Sequence, residues 1–139
     1  MQTWQALTSR RNVRSFDGRP IAATDLDRIL EAGRRAPSSQ NWQPWDFILV
    51  TRRETLRELA KVWRGAGHVA GSAATIVLIG PTADNEFHRA QFDLGQATMA
   101  MTLAATDLGI LPGEHTVPCD MFEQTFQVLA VERLHQLVA

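Results

Sequence analysis

Two rhythms of apolar and polar positions organise this chain. Leu26, Ile29, Leu30 and Gly33 recur at helical spacing after Thr24, a residue type suited to an N-cap. Pro37 stops that helix, because its ring clashes with the preceding turn and it carries no N–H. Residues 4–9 predict a short first helix, and residues 46–50 (DFILV) a strand. Thr51 and Glu54 have the spacing of a capping box, opening a helix with Leu56, Leu59, Ala60 and Trp63 on one face. Gly65 and Gly67 interrupt that pattern. Residues 74–80 (ATIVLIG) form a near-continuous apolar run, the kind buried on both faces of a sheet. Residues 86–108 then predict a long helix ended by Gly109. A loop (GILPGEHTVP), a capped helix over 120–129 and a strand over 134–138 complete the expectation.

Strands alternate with helices, but too few strands appear for a full doubly wound sheet. The pattern predicts an α+β fold, an α/β three-layer sandwich with a small mixed sheet flanked by helices. The long helix carries Gly95, Ala97, Ala100, Ala104 and Ala105, with Met99 and Met101 between them, so it is small or apolar around most of its circumference. Such a helix must be covered all round. A 139-residue chain has little material for that, which predicts a homodimer with this helix at its interface.

Composition narrows the class. The chain is 45% hydrophobic and 21% charged, as in an ordinary globular protein, and 139 residues predict one domain over 1–139. Its net charge of −1 and the absence of any like-charge block give no general affinity for nucleic acid or for an anionic membrane. One cysteine, Cys119, excludes an internal disulfide framework and fits a reducing compartment. No stretch approaches the ~20 apolar residues that span a bilayer, and the start of the chain is too polar for a signal peptide. The expectation is a cytoplasmic protein.

Two stretches carry candidate chemistry. In SRRNVRSF, an extended backbone would turn Arg10, Asn12 and Arg14 to one side, with Arg11 beside them. Guanidinium groups pair bidentately with phosphate, so a phosphate is the natural guest. A solvated basic turn pairing with Asp17, Asp25 or Asp27 is the alternative. The second stretch, APSSQNWQPWDFILV, places Ser38, Ser39, Asn41 and Gln43 at near-alternate positions between the stiffening Pro37 and Pro44. With Trp42 and Trp45 as flat walls, it suits a planar heteroaromatic ligand with polar edges. Alternatively it is a helix-to-strand connection whose serines cap backbone groups and whose tryptophans are core. The four histidines have no metal-ligand spacing, so no metal site is expected. Gly65 and Gly67 precede a strand instead of following one, which excludes a dinucleotide-binding loop.

Taken together, RRNVRSF and APSSQNWQPWDFILV resemble the opening signature of the FMN-dependent nitroreductase family, and FDLGQATMAMTLAATDLGI is similar to that family's long central helix. The resemblance implies an intertwined α+β homodimer with two FMN molecules at the subunit interface. By position, Arg10, Arg11, Asn12 and Arg14 would hold the FMN phosphate and ribityl chain. Pro37, Ser38, Ser39, Asn41 and Gln43 would lie along the isoalloxazine from the other subunit. Gly113 and Glu114, in the loop 111–115, are the positions implied near the flavin N5 and carbonyl edge. The implied function is a ping-pong oxidoreductase, with a hydride passing from NAD(P)H through FMN to a quinone or nitroaromatic acceptor and no protein nucleophile. The alternative is a flavin-binding carrier or sensor without efficient turnover. Two departures stand out. Asn12 replaces the usual serine, and the chain stops where fuller members continue with a basic residue and an arm that embraces the partner.

Overall fold

The order of elements follows the apolar rhythm closely. The computed structural model of the chain describes residues 2–16, 19–81 and 84–110. Its helices are α1 (Thr3–Ser9), α2 (Ala23–Arg34), α3 (Arg53–Leu59) and α4 (Asp84–Asp107); its strands are β1 (Asp46–Val50) and β2 (Thr75–Ile79). Short 3-10 turns at Ser39–Asn41 and Ala66–Gly71 lie in the connections. The loop, helix and strand expected after residue 110 lie outside the described residues.

Strands β1 and β2 pair antiparallel, with Phe47 opposite Leu78 and Leu49 opposite Ile76. Facing partners share one side of a sheet. That side meets the helices: Phe47, Ile76 and Leu78 pack on a core made by Ile29 of α2 and Met101 and Ala105 of α4. The fold is α+β as expected. Its two described strands, however, pair antiparallel, and the further strand expected over 134–138 lies outside the described residues. Nor is β2 sealed on both faces, since all five of its residues are half-buried.

Helix α4 is the scaffold. Ala90, Ala97, Met101 and Ala105 line its buried face, and α2 and α1 both pack on it. Gly33 allows α2 to come close: a Cβ there would stand 2.8 Å from Cγ and Sδ of Met101. The helix ends as Gly109 predicts. Gly109 adopts φ +73, its N–H reaches the Thr106 carbonyl at 3.0 Å, and the Ile110 N–H reaches the Ala105 carbonyl at 2.9 Å. These are the paired bonds of a Schellman motif, which need a left-handed residue at that position.

Both proposed N-caps are displaced. Helix α2 starts at Ala23 with Ala22 as N-cap, so Thr24 lies inside the first turn. Helix α3 has Arg52 as N-cap and no capping side chain; Glu54 is then one position short of the site a capping box uses. Its start is held from afar instead, because Arg53 Nη1 donates to the carbonyls of Ala70 (2.9 Å) and Ser72 (2.8 Å). The helix stops at Leu59, so Trp63 does not complete the face expected with Leu56 and Leu59.

The C-terminal turn of α2 carries a three-residue charge cluster. Arg34 grips Glu31 through Nε and Nη2 at 2.7 and 2.8 Å, and Arg35 Nε adds a bond at 2.5 Å. These bonds, that from Arg34 first, hold the Glu31 carboxyl at about 2 against an ordinary 4.5. A depressed carboxylate stabilises the fold above its unfolded value and loses that contribution as pH falls through its folded value. We therefore expect acid melting curves of the parent and of Glu31→Gln to diverge most above pH 4.5 and to converge as pH approaches 2. The difference should shrink in high salt, because the cluster is exposed. A constant difference across that window would assign Glu31 no electrostatic role.

Candidate functional site

The connection from α2 to β1 is an unusual piece of backbone. Ser38 is extended, and a single 3-10 turn follows, closed by the N–H groups of Asn41 and Trp42 on the carbonyls of Ser38 and Ser39 at 3.0 Å. Gln40, Asn41 and Gln43 all have positive φ (55, 56 and 52), the left-handed region that costs a non-glycine residue roughly 1–2 kcal/mol. Three such residues within four positions require outside support.

That support is visible. The Gln43 N–H donates to Ser38 Oγ at 2.9 Å, folding the loop back on itself. The Ser39 N–H donates to both carboxylate oxygens of Asp93 on α4, at 3.1 and 3.2 Å. Gln96, one turn further along α4, donates from Nε2 to the Pro37 carbonyl at 3.3 Å. Asp93 and Gln96 thus clasp the loop to the helix, and neither belongs to the two stretches that carry candidate chemistry in the sequence. The available signal was a carboxylate in a stripe of small residues, between Ala90 and Ala97.

Two of the loop's polar side chains pair with each other. Gln43 Nε2 bonds Asn41 Oδ1 at 2.8 Å, and both residues are exposed. Whichever way the two amides are turned, this bond uses one donor hydrogen and one acceptor face. Both donor hydrogens and acceptor oxygens therefore remain available to a ligand edge. Ser39, in the same loop, is half-buried.

The two tryptophans take different partners. Trp45 stacks on Phe47 (centroids 6.2 Å apart, planes at 27°) and so joins the side of the sheet that faces the core. Trp42 is a platform nearer the loop tip, with the Arg89 guanidinium 4.7 Å over its ring, a cation–π contact that holds Arg89 beside the loop.

The arginine stretch starts where α1 stops. Thr8 Oγ1 and Ser9 Oγ donate back to the carbonyls of Trp4 (2.9 Å) and Gln5 (2.6 Å), competition that favours a helix end. Arg10 is the C-cap and leaves the helix with extended ψ. Arg10 is half-buried; Arg11, Asn12 and Arg14 are exposed, and Val13 between them is half-buried. Helix α1 packs on α4, so the arginine stretch and the loop of Pro37, Ser38, Ser39, Asn41 and Gln43 are both attached to one helix. Gly113 and Glu114 lie outside the described residues. Among the described residues, no group of three or more His, Cys, Asp or Glu side chains is placed to hold a metal, and no helix is long and apolar enough to cross a membrane.

Comparison with known proteins supplies the wider context. Residues 7–77, just over half of the chain, match the nitroreductase family, and these residues include both candidate stretches. An Archaeoglobus fulgidus protein, provisionally named an NADH dehydrogenase/NAD(P)H nitroreductase, is 34% identical over 107 residues, covering 73% of this chain and 60% of its own length. Among solved structures, an FMN-dependent nitroreductase from Clostridium difficile superposes with TM-score 0.70 at 29% identity, over 76% of this chain and 61% of that one. A Bacteroides fragilis nitroreductase with bound FMN superposes with TM-score 0.67 at 28% identity, over 80% of this chain and 67% of that one. The chain thus spans about three fifths of the length of the Archaeoglobus relative. With the loop, the arginine stretch and the long helix in one arrangement, and with the family match running through the first two, this chain belongs to the nitroreductase family.

Proposed function

We propose that this chain binds FMN and works as a cytoplasmic, homodimeric NAD(P)H-dependent oxidoreductase of the nitroreductase type. The observation that carries the reading is the left-handed loop with its paired Asn41 and Gln43 amides. A flavin's pyrimidine edge alternates carbonyl acceptors with an N–H donor, and an amide pair that keeps both donors and acceptors free is complementary to it. In this reading Pro37, Ser38, Ser39, Asn41 and Gln43 lie along the isoalloxazine of the opposite protomer's site, and Gly113 and Glu114 lie toward its N5 and carbonyl edge. Arg10, Arg11, Asn12 and Arg14 hold the phosphate and ribityl chain. FMN-bearing relatives of similar fold support the choice of cofactor.

The dimer is supported by what one chain leaves uncovered. Phe92 (69% exposed), Gly95 and Met99 (43% exposed) fall along one stripe of α4, and Trp4 (74% exposed) stands on α1, which packs against α4. A second copy seated there would cover the apolar stripe, with Gly95 permitting close helix approach. When bound, FMN would supply the redox chemistry of a ping-pong reaction between NAD(P)H and a quinone or nitroaromatic acceptor. The chain's own residues would bind and orient: the arginines would neutralise phosphate and the amide pair would set the ring edge.

Two measurements test this. The purified chain should be yellow or take up FMN stoichiometrically, and should oxidise NAD(P)H over many turnovers per flavin with a quinone. A single turnover per flavin would assign a carrier instead, and a chain that takes up no FMN would end the flavin reading. Asn41→Gly, which removes the amide and suits the φ of 56 at this position, should weaken FMN about tenfold, the equivalent of one hydrogen bond, with little change in the melting temperature of the apo protein. A large apo destabilisation would make Asn41 a structural residue.

A further inference from the structure

Asp93 is fully buried in a single chain, between Ala90 and Ala97, which are fully buried too. A carboxylate so placed has lost its water and is retained only if its oxygens are filled. Its partners among the described residues all point one way. The Ser39 N–H meets both oxygens, at 3.1 and 3.2 Å, and Gln96 Nε2 lies 3.5 Å from Oδ1 while also donating to the Pro37 carbonyl. Among the described residues, every donor to this carboxylate is therefore either the loop or a side chain that clasps the loop.

The partner N–H is one that the loop cannot satisfy by itself. Ser39 opens the 3-10 turn, and the N–H groups at the start of a helical turn have no acceptor within it. The turn begun at Ser39 then runs through Gln40 and Asn41 into Gln43, the three residues with φ between 52 and 56. A methyl group at position 93 would match the flanking alanines at no electrostatic cost. A carboxylate there does what they cannot: it anchors a strained turn through its first amide.

We propose that Asp93 is the positioning residue of this loop, holding the Ser39 amide so that Asn41 and Gln43 are presented as a preformed pair. Its value for cofactor binding rests on the flavin reading above; its grip on the loop does not. Preorganisation of this kind raises affinity by removing an ordering step from binding.

The test uses the full chain with D93A and D93N. Asparagine keeps the size and one carbonyl acceptor, and loses the charge and the second acceptor. In the apo protein, D93A should speed amide hydrogen exchange at Ser39, Asn41 and Trp42 about tenfold or more, while Ile29 in α2 and Val50 in β1 keep their protection. FMN affinity should fall about tenfold, and D93N should recover part of both losses. Unchanged exchange in the loop would overturn the proposal, and so would exchange that rises equally in α2 and β1, because Asp93 would then serve the core as a whole. Unchanged FMN affinity with a loosened loop would overturn its role in binding. If the parent takes up no FMN, the flavin reading fails by itself, and the exchange pattern still decides whether Asp93 holds the loop. If D93A does not fold, D93N decides by the same pattern.

Discussion

Arg10→Ala should lower FMN affinity about thirtyfold, close to 2 kcal/mol, because it removes a charge-assisted hydrogen bond to phosphate. Arg10 is the residue of the stretch best placed for such a role. It is the C-cap of α1, its backbone N–H is tied to the Ala6 carbonyl at 3.1 Å, and it is half-buried where Arg11 and Arg14 are exposed. A guanidinium partly withdrawn from water interacts more strongly with an anion than one on the open surface. The informative comparison is FMN against riboflavin, which lacks the phosphate. The parent should prefer FMN; Arg10→Ala should lose most of that preference while its riboflavin affinity stays put. Lys61→Ala, which removes an exposed ion pair with Glu58, is the control and should alter neither. An unchanged FMN titration for Arg10→Ala would take the phosphate away from this residue.

Leu56→Ala should destabilise the chain by about 3 kcal/mol, the usual range for emptying a filled leucine site being roughly 2–5 kcal/mol. Leu56 is 0% exposed, the largest apolar side chain so enclosed among the described residues. It sits in α3, whose seven residues are too few for an independently stable helix, so the element depends on its packing and on the Arg53 bonds to Ala70 and Ser72. The loss should appear as a lower urea midpoint with an unchanged slope, and as a fall in melting temperature of about 10 °C. FMN affinity measured well below the melting transition should be nearly unaffected, since α3 carries none of the proposed binding residues. Arg10→Ala and Leu56→Ala therefore form a pair with opposite signatures, one losing ligand and the other losing stability.

Much of the architecture was legible along the chain because the deciding contacts repeat locally. Leu26, Ile29 and Gly33 mark the buried face of α2; the DFILV run marks β1; Gly109 marks the end of α4. Helix starts were not legible in this way. Thr24 and Thr51 both have capping chemistry, yet α2 starts at Ala23 and α3 at Arg53, where distant carbonyls bind the arginine. Trp42 and Trp45 are alike in sequence and separated by only three positions. One supports Arg89 and the other joins the sheet side facing the core.

The sequence by itself determined the order and type of the described helices and strands, the arginine stretch after α1 and the set of polar side chains in the loop, because residue type and spacing act over one or two turns. Only the tertiary structure decided how that loop is held. Its left-handed residues are stable because the Ser39 amide meets a carboxylate 54 positions further along the chain. Folding alone brings those two groups together, and no local pattern records that the one needs the other.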